Sequence, residues 1–198
     1  MNRKTHLMPK LKNTSRLDSV LICGQRNQRN KHDYYSTPPY VMKALVDTIN
    51  LNGLILDPCC GKGEMGKFFK SLKYKVVEID INADNHGYGV KDDFLNFTSP
   101  VDNIVANPPF SHALEFIEHS LRLARKKVCM VTRLAFLETS KRHTKLFKVH
   151  PPATIILFSK RIDFRDNNNL FGGGFASVWV IWDQEHKSHK TNFVWYNN

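Results

Sequence analysis

The sequence predicts a three-layer α/β domain with a mostly parallel central sheet and a hairpin at the sheet edge. Three observations predict it. Short apolar runs alternate with stretches of helical spacing along the 198 residues. The first apolar run, Leu54-Ile55-Leu56, ends at Asp57 in a turn carrying Gly61 and Gly63, and a helical pattern follows. The last two β-rich runs, Ala153 to Phe158 and Ser177 to Trp182, are closely spaced.

Taken in order, residues 1–31 hold eight Lys or Arg against one acid, Asp18. This segment reads as a basic arm, free to follow phosphates or to remain a solvated tail. Residues 32–198 read as one domain, a size that leaves little room for a separate recognition domain. Pro38 and Pro39 open a helix whose Val41, Ala44, Leu45 and Val46 can face a core, since a proline in the first turn forfeits no intrahelical hydrogen bond. Leu54 to Leu56 is a buried strand. Glu64 to Leu72 is a helix with Met65, Phe68, Phe69 and Leu72 on one side. Val76 to Ile79, Ile104 to Ala106 and Val128 to Val131 are further strands, the last after a helix over Ala113 to Ala124.

The formal charge is +11, so the surface attracts polyanions, and nucleic acid is the natural partner. The four cysteines, Cys23, Cys59, Cys60 and Cys129, have neither paired metal-ligand spacing nor a disulfide framework. No metal is expected, and a reducing compartment fits. The chain opens without an apolar signal core, and no run approaches the roughly 18 apolar residues that span a bilayer, so a cytoplasmic protein without a membrane partner is expected.

Asp57-Pro58-Cys59-Cys60-Gly61-Lys62-Gly63 links a strand to a helix through glycines that allow close approach of a ligand. It lacks the spacing and final Gly-Lys-Ser/Thr of a phosphate loop. A dinucleotide-binding fold fits the glycines alone. The acids narrow the choice: Glu78 or Asp80, ending the second strand, can accept from ribose hydroxyls. Asp93 can accept from an adenine amine while Phe94 offers the ring an aromatic face.

The ordered series of that glycine turn, Val77-Glu78-Ile79-Asp80, Asp93-Phe94-Leu95 and Asn107-Pro108-Pro109-Phe110 resembles the amino methyltransferases with an Asn/Asp-Pro-Pro-aromatic signature. Tyr35-Ser36-Thr37-Pro38-Pro39, Leu134-Ala135-Phe136-Leu137-Glu138 and Trp179-Val180-Ile181-Trp182-Asp183 resemble the small adenine methyltransferases common in bacteriophages. The resemblance covers residues 34–185 and implies a Rossmann-like methyltransferase domain using S-adenosylmethionine. It implies that Asp57 and Gly61 shape the methionine side of the cofactor pocket, with Cys59 and Gly63 also among the cofactor-binding residues. Glu78, or Asp80 in its place, would hold the ribose, and Asp93 with Phe94 the adenine. Tyr35 and Thr37 would approach from the amino-terminal segment.

The exocyclic amine of adenine is a poor nucleophile because its lone pair is delocalised into the ring. Accepting both N–H groups favours a pyramidal nitrogen with its lone pair aimed at the methyl donor. Asn107 can accept through its side chain and Pro108 through its carbonyl, while Pro109 stiffens the loop. Phe110 offers a stacking face to a base extruded from a duplex. Transfer is then direct, and the protein mainly supplies orientation. Pro58-Cys59 also resembles the nucleophile motif of cytosine C5 methylation, but it lies at the cofactor turn, where a nucleophile would be misplaced.

The four-residue signature is shared by enzymes acting on adenine in DNA, adenine in RNA and glutamine in proteins. The basic charge disfavours glutamine, and the phage resemblance favours DNA over RNA, which places the protein in a host cytoplasm if phage-encoded. His112, Lys141, Arg142 and Lys145 are candidate substrate contacts, with Lys160-Arg161 and the Gly172-Gly173-Gly174 loop beside them. Sequence specificity would be short, loop-encoded or supplied by a protein partner. A nucleic-acid-binding module without catalysis is the remaining reading.

Overall fold

The computed structural model describes residues 35–164 and 175–197. The basic arm of residues 1–31 and the Gly172-Gly173-Gly174 run lie outside the described residues. Helix α1 (Pro39–Thr48) follows Pro38 directly, and Val41, Met42, Ala44 and Leu45 are its buried residues. After it come β1 (Leu54–Asp57), α2 (Glu64–Ser71), β2 (Lys75–Asp80), a short α3 (Ala83–His86), β3 (Val90–Lys91) and a 3-10 turn at Phe94–Asn96. Then follow β4 (Val101–Ala106), α4 (Ala113–Leu123) and β5 (Ala124–Arg133), with no loop between the last two. A 3-10 turn at Leu134–Leu137 leads to α5 (Ser140–Arg142), which widens into a π turn at His143–Phe147. Strands β6 (Thr154–Phe158), β7 (Ser177–Asp183) and β8 (Asn192–Tyr196) complete the described elements.

The eight strands form one sheet in the order β3-β2-β1-β4-β5-β7-β6-β8. All neighbours pair in parallel except β7, which is antiparallel to both β5 and β6. The expected hairpin is therefore present in β6 and β7, and β7 is inserted between β5 and β6. The unforeseen β8 adds one strand beyond the hairpin. Strand order reverses between β1 and β4, so their carboxyl ends flank the crevice where open α/β sheets bind ligands.

Alternation along each strand divides the apolar residues between two cores. Ile55, Met65, Phe69 and Trp179 pack with α1 on one face. Leu56, Phe94, Ile117 and Val180 pack with α4 on the other. The Trp179 indole is fully buried, and its N–H donates to the Val41 carbonyl at 2.8 Å, which satisfies the polar atom that burial would otherwise strand. On α2, Met65 and Phe69 are buried as expected, but Leu72 is exposed because the helix ends at Ser71 and Leu72 is its cap.

Candidate active site

The turn after β1 depends on its glycines. Gly61 and Gly63 have φ of 54° and 78°, a left-handed region that L side chains rarely adopt. The Gly63 amide donates to the Cys60 carbonyl at 2.8 Å, closing the turn. Asp80, buried at the end of β2, braces it: one carboxylate oxygen accepts from the Gly61 amide at 2.8 Å and the other from the Asn82 amide at 2.7 Å.

Glu78, the other acid of β2, has different partners. One oxygen accepts from Lys70 of α2 and from the Tyr88 hydroxyl, the latter at 3.0 Å. The other oxygen, Oε1, is buried without a hydrogen-bond partner. Its carboxylate lies against Gly66 of α2, where an added Cβ would come within 1.7 Å of Oε1. The two acids that are equivalent in sequence thus differ in structure, since Asp80 holds the turn and Glu78 keeps one buried acceptor without a partner. Gly66, Lys70 and Tyr88 were not anticipated. The sequence signal for Gly66 is an isolated glycine inside a helical pattern.

Asp57 is buried at the end of β1, in register with Glu78. Burial pushes its carboxyl up to about 8, nearby Glu78, Asp80 and Glu64 push in the same direction, and the Cys59 amide, donating to it at 3.3 Å, opposes them. Asp57 therefore holds its proton at neutral pH, and a cation bound beside it would draw it back toward the carboxylate. Burial also pushes the Cys59 thiol well above its ordinary value and that of Cys60 up to about 12. Both thiols stay protonated at neutral pH, so neither is primed as a nucleophile.

Asn107-Pro108-Pro109-Phe110 follows β4 directly. The Asn107 side-chain amide donates to the Tyr35 carbonyl at 3.0 Å and to the Thr37 hydroxyl at 3.1 Å. A backbone carbonyl can only accept, so the Tyr35 contact fixes which end of the amide is nitrogen. Oδ1 is left pointing elsewhere as an acceptor. The Cys59 thiol donates to the Asn107 backbone carbonyl at 3.5 Å, joining the loop to the glycine turn. Pro109 accepts from the His112 amide at 2.9 Å, which leads into α4. Asn107 does not cap that helix. The Phe110 ring stacks on Tyr35 at 5.7 Å and meets Phe164 edge-on at 6.4 Å, with the Arg133 guanidinium 4.8 Å from its centroid. Arg133 and Phe164 were also missed by the sequence reading.

The remaining expected site residues are more scattered. Asp93 caps the 3-10 turn, accepting from the Leu95 amide at 3.0 Å and the Asn96 side chain at 3.1 Å. Phe94 corrects the expectation of an exposed aromatic face: it is 2% exposed and packs against Phe116 and His119 in the core. His112 is exposed, with Nδ1 2.9 Å from the Ser111 hydroxyl. Arg142 corrects the expectation of a cation held ready for substrate. One of its nitrogens donates to the Ala135, Phe136 and Glu138 carbonyls at 3.2–3.3 Å, and its guanidinium covers the Phe136 ring at 4.5 Å. Lys141 and Lys145 are exposed on the same segment. A cleft of about 660 Å³, lined by Thr37, Met42, Glu64, Lys67, Phe68 and Asp163 among others, opens on the Thr37 side of the glycine turn. Among the described residues, no helix is long and apolar enough to cross a membrane.

No protein-family model and no curated protein sequence matches the chain. Solved structures do. A candidate class I S-adenosylmethionine-dependent methyltransferase from Listeria monocytogenes superposes with a TM-score of 0.59 at 18% identity, over 91% of this chain and 71% of that one. A candidate RNA methyltransferase from Pyrococcus horikoshii gives 0.58 at 14% identity, over 83% and 96%. The modification subunit of a candidate type I restriction enzyme from Vibrio vulnificus YJ016 gives 0.58 at 17% identity, over 83% of this chain and 47% of that one. The chain has the Rossmann-like fold of S-adenosylmethionine-dependent methyltransferases. It spans under half the length of the Vibrio protein.

The residues present fit the cofactor of that methyltransferase fold. Glu78 Oε1 is a buried acceptor without a donor, a costly condition that a ribose hydroxyl would relieve. The acids around Asp57 suit a ligand that carries positive charge at its methionine end.

Proposed function

We propose that the protein transfers a methyl group from S-adenosylmethionine to the N6 amine of adenine in DNA. The observation that carries this reading is the locked Asn107 amide. With its nitrogen held by Tyr35 and Thr37, Oδ1 is directed to accept a hydrogen bond rather than donate one. No described protein group donates to the Pro108 carbonyl, which supplies a second acceptor on a backbone stiffened by two prolines.

Two acceptors converging on one amine draw its hydrogens to one side and expose its lone pair on the other. The cofactor, when bound, supplies the electrophilic methyl group. Glu78 would hold its ribose, Asp57 its cationic methionine end and Asp93, through the lone pairs its cap leaves open, its adenine amine. Asp80, Gly61 and Gly63 hold the turn in shape. Phe110 would stack on the extruded base at the mouth of the site. No covalent protein intermediate is required: the nitrogen–methyl bond forms as the sulfur–methyl bond breaks, and the proton lost from the amine passes to water.

A charge of +11 supports a nucleic-acid substrate over a protein glutamine. The resemblance to phage adenine methyltransferases supports DNA over RNA and a host-cytoplasmic setting. The likeness to a modification subunit accords with DNA, and that to an RNA methyltransferase keeps RNA as the comparison arm. The test is labelled-methyl transfer to single-stranded DNA, duplex DNA, matched RNA and protein, with Asn107→Ala as control. Label in adenine of DNA that Asn107→Ala abolishes supports the proposal. Label in glutamine, or cofactor binding without transfer to any of the four, overturns it.

A further inference from the structure

Strand β8 is the outermost of the sheet and presents its two faces very differently. Tyr196 turns toward the α1 side, packing against Phe158 and donating to Asp47 at 2.9 Å. By alternation Phe193 and Trp195 turn to the opposite face, and they remain 61% and 74% exposed. Their register partners on β6 are Ile155 and Leu157, both part of the core on that side. The two aromatic rings thus continue the sheet surface past the point where its cover ends. Two residues apart on a strand, they stand about 6.6 Å from each other.

The surroundings are predominantly cationic. From Thr139 to Arg161 the chain has six cations, Lys141, Arg142, Lys145, Lys148, Lys160 and Arg161, and no acid. The α5 segment within it packs Leu146 and Phe147 into the same core as Ile155 and Leu157, so it covers the same face as Phe193 and Trp195. Lys145 and Lys148 are exposed there, and the loop before β8 adds exposed Lys187 and Lys190 beside the single acid Glu185.

We infer that this sheet edge is a docking track for a single strand of the DNA substrate, with bases stacked on Phe193 and Trp195 and phosphates neutralised by Lys145, Lys148, Lys187 and Lys190. Exposed aromatics paired with a cationic groove are what a single strand recognises, because its bases present faces that a duplex hides. An open strand edge is also a template for a second copy of the chain, but two copies would bring these cations together. All strands except β7 run parallel, so Trp195 lies toward the sheet end that carries Asn107. Four strand spacings of about 4.8 Å separate β8 from β4, roughly 19 Å. A dodecamer reaches both, whereas a dinucleotide reaches only the pocket.

This inference rests on the nucleic-acid reading above and adds a contact outside its pocket. Its test uses the full chain, a fluorescein-labelled single-stranded DNA dodecamer and tryptophan emission. Trp179 and Trp182 are buried, so quenching on DNA binding reports Trp195. Phe193→Ala and Trp195→Ala should each weaken dodecamer binding about tenfold, and Trp195→Ala should remove the quenching. Methyl transfer to an adenine dinucleotide should be unchanged in both. Unchanged dodecamer affinity in the double variant overturns the track. So does tighter binding of matched RNA or duplex, or quenching that follows protein concentration, with dimers in sedimentation, in the absence of DNA. Dodecamer binding with quenching but no methyl transfer to adenine sustains the track and overturns the adenine reading instead.

Discussion

Replacing Thr37 with valine tests the amide lock with little change of shape. Thr37 is 6% exposed and its hydroxyl accepts one of the two Asn107 amide hydrogen bonds, at 3.1 Å. Valine keeps the volume and removes the acceptor. The Tyr35 carbonyl still holds the amide at 3.0 Å, so the orientation survives with one restraint fewer. A neutral intramolecular hydrogen bond contributes about 0.5–1.5 kcal/mol. If that energy is needed to position Oδ1 in the transition state, kcat falls roughly 2- to 13-fold. Removing the acceptor altogether, in Asn107→Ala, should cost about 100- to 1,000-fold, the range for one preorganised electrostatic partner. The assay is steady-state methyl transfer to an adenine oligonucleotide, with cofactor affinity measured separately by calorimetry. Both variants should lower kcat in that graded order and leave cofactor affinity within twofold. Unchanged kcat in Thr37→Val, or a loss equal to that of Asn107→Ala, refutes the lock as drawn.

Other variants separate the two acids of β2 and the basic segment. Asp80→Ala strands the Gly61 amide and should destabilise the fold by about 1–3 kcal/mol in chemical denaturation, in contrast to a purely ligand-binding role. Gly66→Ala places a methyl against Glu78 and should abolish cofactor binding by calorimetry, with the far-UV spectrum retained. Asp57, raised in the folded state to about 8 from an ordinary 3.8, holds a proton that the unfolded chain releases at lower pH. Its contribution to stability is therefore present at acid pH and lost as pH rises through 8, and Asp57→Asn should flatten that dependence in pH-resolved melting. Arg142→Ala should lower the melting temperature, because it uncaps three carbonyls, whereas Lys141→Ala and Lys145→Ala should weaken DNA binding and reduce its salt dependence without a change in melting.

The fold was legible in the sequence where side-chain period and turn chemistry reinforce each other. Leu54 to Gly63 reads as strand, glycine turn and helix because each step has a local cause, and the structure follows it. The order of strands has no such local signal, so the insertion of β7 between β5 and β6 became visible only in the sheet. Strand β8 escaped notice because His186 to Lys190 precede it and two of its five residues are exposed aromatics, a pattern unlike that of a buried strand. That Asp57 and Gly61 lie at the end of one central strand and Asn107 and Phe110 at the end of its neighbour was legible from spacing. The division of labour between Glu78 and Asp80 was not, because it depends on which acid meets the Gly61 amide and which meets Gly66, contacts made across elements. Phe94 was misjudged for the same reason: the 3-10 turn after Asp93 carries its ring inward against Phe116. Arg142 reads as a free cation in the sequence because no local signal marks the Ala135, Phe136 and Glu138 carbonyls as its partners.

If the Asn107–Pro108 acceptors act on the amine of adenine, the transferred methyl group must sit on N6, and its chemical position decides the matter. Duplex and single-stranded DNA are incubated with the protein and labelled S-adenosylmethionine, digested to nucleosides and resolved by mass spectrometry. Label is expected in N6-methyladenine, reduced at least about 100-fold by Asn107→Ala. Label in any other nucleoside, or N6-methyladenine that persists undiminished in Asn107→Ala, would contradict it.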